Sequence, residues 1–210
     1  MDKKYIHLQF DLDQDFNFNK SVAIDTEAMG LKYHRDRICL LQIKSDIPND
    51  PIRLVQFTGG DFSKSPRLKS LLSNDEIEKI FHFARFDIGL LQHTFNIRIN
   101  NIFCTKIASK LVRTYTQQHS LKALCKDFLN IDLAKEEQTS DWGNTQLTEA
   151  QLKYASQDVL YLHALQDRLI PLLQRENRMD LFKDCCRFLP ARCELDCMID
   201  DKYDIFAHHD

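Results

Sequence analysis

The sequence predicts an α/β fold, a mixed central sheet flanked by helices, and three observations carry that prediction. Short, nearly continuous apolar runs fill the first half, and apolar residues at helical spacing fill the second. Only five glycines and five prolines interrupt 210 residues. The chain shows no Pro/Gly-rich linker, internal repeat or low-complexity tract, so a single domain over 1–210 is expected.

The elements follow in order. SVAIDTE (21–27), ICLLQIK (38–44) and IRLVQF (52–57) read as strands, with SDIPNDP as a turn between the last two. Residues 65–72 read as a short helix, KIFHFA as a fourth strand, and 85–95 as a helix with Asp87 in its first turn, near the positive end of the dipole. Helical spacing continues over 104–112, 120–129, 148–173 and 178–188. Thr148 and Gln151 form a capping box that marks where the long helix starts. Tyr154 and Asp158, four apart on that helix, share one face.

Composition narrows the class. Hydrophobic content of 43% and charged content of 28% are those of a soluble globular protein. The longest apolar run falls short of the ~20 residues that span a bilayer, so no membrane partner is expected. The opening MDKKYIHLQFDLD lacks the apolar stretch of a secretion signal, which makes a cytoplasmic location the expectation. Seven cysteines, an odd number, fit reduced thiols. Cys185, Cys186, Cys193 and Cys197 lack clean zinc-site spacing and read as small buried hydrophobes. A net charge of −3 is not the basic surplus of a protein that grips long nucleic acids, and favours a short substrate.

The chemistry lies in four acids placed where carboxylates are costly. Asp25 and Glu27 end an apolar strand, Asp87 sits among Phe81, Phe83, Phe86, Leu90 and Leu91, and Asp158 lies in YASQDVLYL. Carboxylates in apolar surroundings need a counter-charge, commonly a divalent cation. Such clusters hold two Mg²⁺ or Mn²⁺ ions about 3.5–4 Å apart and cut phosphodiesters. Any one of these acids alone would read as a surface ion pair or a helix cap.

The D-x-E of Asp25 and Glu27, the H-x-x-x-x-D of His82 and Asp87, and the Y-x-x-x-D of Tyr154 and Asp158 resemble the three motifs of the DEDD 3′–5′ exonucleases, in the tyrosine subgroup. LAKEEQTSDW followed by LTEAQLKYASQDVLYL resembles ribonuclease D, from about residue 21 to about 173. HRDRICLLQI, IFHFARFDIGLL, CTKIASKLVRTYT, SDWG, RFLPARCELD and DIFAH extend the resemblance over nearly the whole chain, to the nano-RNase C group. The resemblance implies a ribonuclease H-like fold without the C-terminal helical accessory domains of ribonuclease D. It also implies ring-like homo-octamers and an exoribonuclease for dinucleotides and other very short RNAs, with DNA as a further substrate class. Asp25 would bridge the two ions, Glu27 and Asp158 would hold the one that activates water, and Asp87 would hold the other directly or through water. Tyr154 would orient the attacking water, a role that suits a phenol whose ordinary pKa is about 10.

Further residues are candidate substrate contacts. Leu31, with Met29 and Gly30 before it, occupies the position where related dinucleotide-cleaving enzymes wedge an apolar side chain between bases; a loop leucine packed on the core is the alternative. His82 would reach the scissile region, unless it is a satisfied core histidine. Lys135, Gln138, Ser140, Asp141 and Trp142 read as a loop beside the site, with Trp142 as its anchor. Arg113, Tyr115 and His119 mix a cation, a phenol and an imidazole that would recognise a 5′-phosphate, or else form a solvated helix end. His34, Arg35 and Arg37 would meet phosphate or a neighbouring subunit. Cys104 stands beside Thr105 where ribonuclease D relatives often carry Asp-Thr, so it lacks the carboxylate for metal binding. Two competing functions use the same residues: a general exonuclease on longer RNA or DNA, and a non-catalytic nucleic-acid-binding module, which usually lacks one of these acids.

Overall fold

A computed structural model gives the fold and describes residues 5–133, 140–198 and 205. Six strands form one sheet: β1 (Tyr5–Gln9), β2 (Ser21–Ala28), β3 (Ile38–Ser45), β4 (Ile52–Gln56), β5 (Glu78–Phe81) and β6 (Ile102–Cys104). Their order is β1-β4-β3-β2-β5-β6, and β3 alone runs against the rest. The four expected strands are the central ones, and β3 and β4 are buried along almost their whole length. The sequence reading omitted the two edges, β1 and β6. β1 exposes most of its side chains and β6 has three residues, so neither carries the apolar run of a covered strand.

Helices cover both faces: α1 (Pro66–Ser73), α2 (Ala84–Phe95), α3 (Thr105–Val112), α4 (Leu121–Leu124, running on through a π-helical turn at Cys125–Leu129), α5 (Glu149–Leu160), α6 (Leu162–Arg175) and α7 (Met179–Met198). The capping box at Thr148 and Gln151 is formed. The helix expected over 148–173 is two helices, broken at Tyr161 (φ −109, ψ 0). The break lets α5 lie across β2, β3 and β4 while α6 turns away to pack on α3 and β5. Apolar spacing continues through both segments and does not register a one-residue bend.

α7 runs ten residues beyond the expected end at Phe188 and packs along α2. Asp196 of α7 holds Arg85 through two bonds of 2.6 and 2.7 Å, and His34 contacts the Cys197 carbonyl at 2.6 Å. All seven cysteines are free thiols, and Cys186 and Cys193 are buried. Among the described residues no helix is long and apolar enough to cross a membrane.

One glycine sets how the loop after β2 meets α2. At Gly89 an added Cβ would stand 2.8–2.9 Å from the Tyr33 ring, which stacks on Phe86 at 5.9 Å. Gly89→Ala therefore forces the ring out of its seat. Overpacking of this kind costs about 1–3 kcal/mol, so the melting temperature should fall by roughly 3–10 °C for a chain of this size. An unchanged melt would show that the loop yields without cost.

Candidate active site

Alternation along β2 puts Asp25 and Glu27 on one face and Thr26 on the other. α5 crosses that first face and delivers Asp158 and, one turn earlier, Tyr154. One carboxylate oxygen from each of Asp25, Glu27 and Asp158 lies within 4.8 Å of the others, an arrangement able to hold a metal ion. Asp87 reaches the same region from the first turn of α2. It is buried, and its Oδ1 accepts from the Thr26 amide (3.1 Å) and hydroxyl (2.7 Å). β5 pairs with β2 only as far as Ala23, so Asp87 satisfies an amide of β2 beyond the last β5 partner. Asp87 stands outside the three-carboxylate group, held from behind by Thr26. Thr26 was not among the sequence candidates, although its position between the two acids could have marked it.

Burial raises the proton affinity of all four acids, and for Asp25, Glu27 and Asp158 the charges of the others raise it further. Burial first, then the charges of Asp87, Asp158 and Glu27, hold Asp25 well above the usual carboxylate range. Burial and the charges of Asp158 and Asp87 push Glu27 up to about 9. Burial and Asp87 raise Asp158 to about 7, while burial raises Asp87 to about 7 against the pull of the Thr26 bonds. A site with this much negative charge and only oxygen donors suits a hard divalent cation. The Tyr154 phenol is driven above its ordinary range by burial and by Asp158, Glu27 and Asp25. It therefore keeps its proton at any working pH and can act only as a hydrogen-bond donor or acceptor.

A cleft of about 400 Å³ opens over Asp25, Glu27, Asp158 and Tyr154. Its other walls are His82, Phe83, Lys106, Ser120, Leu121, Lys122, Leu133 and Gln157. Lys106 and Lys122 supply positive charge that the sequence reading did not find, because α3 and α4 bring them to the cleft from separate elements. His82 lines the cleft, but its Nδ1 meets the Thr105 hydroxyl at 2.9 Å. Burial and Lys106 push its pKa down to about 3, so it is a neutral ring at the cleft wall.

The remaining candidates separate by placement. Met29 and Leu31 are exposed, Leu31 by 78%, on the loop after β2. Gly30 lies under the Asp36 carboxylate, which would stand 2.3 Å from an added Cβ and is fixed by Arg35 and the Lys32 amide. Met29 lies against Gly143, and Arg37 reaches the Gly143 carbonyl at 3.4 Å, so the β2 loop meets the segment that holds Ser140 and Trp142. Trp142 is buried and packs on Tyr154 with ring centroids 6.3 Å apart, an anchor for the Tyr154 phenol as much as for its own loop. The Ser140 carbonyl accepts from the Trp142 amide at 3.0 Å. Lys135 and Gln138 lie outside the described residues.

Arg113 and His119 are buried and turned into their own loop. Arg113 bonds the Gln118 carbonyl (2.8 Å) and Asp127, while His119 bonds the Thr116 carbonyl (2.9 Å) and Ser109 (2.8 Å). Their charge and ring nitrogens are engaged in closing the turn between α3 and α4. Tyr115, 82% exposed, is the member of that group that faces out.

The comparisons agree with this geometry. Residues 11–174 match the family model described as 3′–5′ exonuclease. Brucella melitensis NrnC is 44% identical, with a TM-score of 0.89 over 97% of this chain and 98% of that one. Its structure bound to pGG gives 0.90 at 44% identity, over the same shares of the two chains. Ribonuclease D of Gluconacetobacter diazotrophicus is 30% identical over 159 residues, 76% of this chain and 39% of that protein. The chain thus spans about two fifths of that curated relative and nearly all of the NrnC chain. With its acid motifs gathered under one cleft on this sheet, the chain belongs to the 3′–5′ exonuclease family, in the ribonuclease D-like branch of NrnC type, and carries the catalytic domain of a 3′–5′ exoribonuclease.

Proposed function

We propose that the chain is a divalent-metal-dependent 3′–5′ exoribonuclease that hydrolyses dinucleotides and very short RNAs to 5′-mononucleotides. The observation that carries this reading is the Asp25, Glu27 and Asp158 group at the floor of a cleft of about 400 Å³, the size of a small-ligand site. The whole-chain relative NrnC has been seen with bound Mg²⁺ and bound to pGG, which supports both the metal and the short substrate. The net charge of −3 fits the same reading.

Asp25, Glu27 and Asp158 would hold Mg²⁺ or Mn²⁺, and Asp87 would complete the set for a second ion. Bound there, such ions lower the pKa of the attacking water and stabilise the leaving 3′-oxygen. The chain's own groups supply the rest. Tyr154, protonated and braced by Trp142, positions the water by hydrogen bonding. Lys106 and Lys122 draw phosphate into the cleft. Thr26 fixes the orientation of Asp87. Leu31 and Met29 present apolar surface to the bases.

Tyr154→Phe should lower kcat by about 10- to 100-fold, the value of one hydrogen bond in the transition state. The pH profile should keep its shape, because the phenol does not titrate in the working range. A lost basic limb would instead make Tyr154 a proton-transfer group.

The reading is tested by a time course on 5′-labelled RNAs of two to about twenty nucleotides with Mg²⁺, Mn²⁺ or EDTA. Fast loss of the dimer and slow trimming of longer chains is expected. Even trimming of all lengths, or of DNA, would make it a general exonuclease, and no cleavage would leave a binding module. A cytoplasmic site, a single domain over 1–210 and assembly into homo-octamers belong to the same reading. Exposed Leu181, Phe188 and Met198 along α7 support assembly, and light scattering at the mass of one chain would overturn it.

A further inference from the structure

Phe83 is held in a conformation that bulky side chains avoid. Its φ of 65 and ψ of 45 are left-handed, as it caps α2 without a side-chain hydrogen bond. Among the described non-glycine residues with positive φ, five are asparagines, which tolerate that region, and two are phenylalanines. Phe10, the other one, lies outside the cleft walls, whereas Phe83 lines the cleft beside the acids. Burial does not offset the strain at Phe83, because the residue stays 50% exposed. Strain of this kind persists at functional sites where the surroundings enforce it. Here α2 enforces it: Phe83 accepts a bond from the Phe86 amide at 3.3 Å, one residue before Asp87. The ring is thereby fixed on the same rigid element as one of the four acids.

The ring also has a defined charge partner. The Lys106 ammonium sits 4.0 Å from its centroid, over the aromatic face. An exposed aromatic ring with an ammonium beside it, at the wall of an acid-floored cleft, matches a nucleoside phosphate. The base has a π-face for the ring, and the phosphate has a charge for the lysine. Stacking of this kind accepts any base.

We propose that Phe83 and Lys106 form a base-stacking subsite for the bound RNA, with Phe83 as the platform and Lys106 as the phosphate contact. This rests on the short-RNA reading above. Two features set it apart from the Leu31 loop: it lies on α2 and α3, and it works by face-to-face stacking and charge.

The test uses Phe83→Gly, which removes the ring and relaxes the positive φ, and Phe83→Tyr, which keeps the ring. Steady-state kinetics on a dinucleotide should show KM raised about 10-fold or more for Phe83→Gly with kcat within a few-fold. The melting temperature should be unchanged or higher, and Phe83→Tyr should stay near wild type. A dinucleotide with one base replaced by an abasic site supplies the control. Moving the abasic site between the two positions should find one at which wild type and Phe83→Gly become equal. An equal loss on the intact and both abasic substrates, or an unchanged KM on the intact one, would overturn the subsite. Failure of the wild type itself to cleave the dinucleotide would overturn the short-RNA reading instead.

Discussion

Asp25→Asn should abolish hydrolysis and at the same time make the metal-free protein more stable. Asp25 is the acid most surrounded by like charge: Asp87, Asp158 and Glu27 all raise its proton affinity, on top of burial. The amide keeps the shape and removes the cost of holding either a charge or a bound proton at this buried position. In EDTA the variant should gain about 1–3 kcal/mol, seen as a melting temperature several degrees above wild type. With Mg²⁺ the order should reverse, because only the wild type gains the binding energy of the ion. Activity should fall by about 10³-fold or more, since a bound metal supplies several kcal/mol of charge stabilisation and each 1.36 kcal/mol is tenfold. Activity within tenfold of wild type, or a lower melting temperature in EDTA, would show that Asp25 is not the centre of the charge cluster.

That cluster was legible in the sequence for a physical reason. Acids embedded in continuous apolar runs have no solvent to retreat to, so they must meet each other or a cation. The central strands were legible for the related reason that both their faces are covered. The edges β1 and β6 failed the same test, because exposure leaves an alternating or very short pattern. The polar loop at 113–119 could not be resolved into inward and outward groups. Arg113 and His119 turn in to satisfy backbone carbonyls and neighbouring side chains, while Tyr115 turns out. Lys106, Lys122 and Phe83 were invisible as a group, since a cleft wall assembled from three helices leaves no spacing in the chain. The strain at Phe83 is a backbone property with no sequence signature outside glycine and asparagine.

Removing divalent metal should make stability fall as pH rises from 7 to 8.5, and Mg²⁺ should remove most of that fall. The sign follows from which state holds more protons. The folded acids have raised pKa values, so the stability they contribute is fully present below the ordinary carboxylate range and is lost as pH rises through the folded values. Asp87 and Asp158, near 7, lose their protons first; Glu27, near 9, still holds most of its proton in the folded protein across this window, and burial with the neighbouring charges pulls Asp25 in the same direction, while the unfolded chain's carboxylates hold none. Below about 6.5 His82, His163 and the more exposed His93, whose pKa values are depressed, add stability with rising pH and oppose the trend. Above about 8 Lys79, lowered to about 8 by burial, opposes it as well. The slope between those limits should be one to two protons, about 1.4–2.7 kcal/mol per pH unit, or a fall of several degrees in melting temperature in EDTA. Binding of Mg²⁺ must expel those protons. Calorimetry in two buffers of different ionisation enthalpy should therefore find at least one proton released per chain at pH 7.5, and fewer for Asp25→Asn. A metal-free melting temperature that stays flat or rises across the window, with no proton release, would mean that the four carboxylates do not share one field, and the metal site read from their geometry would fall with it.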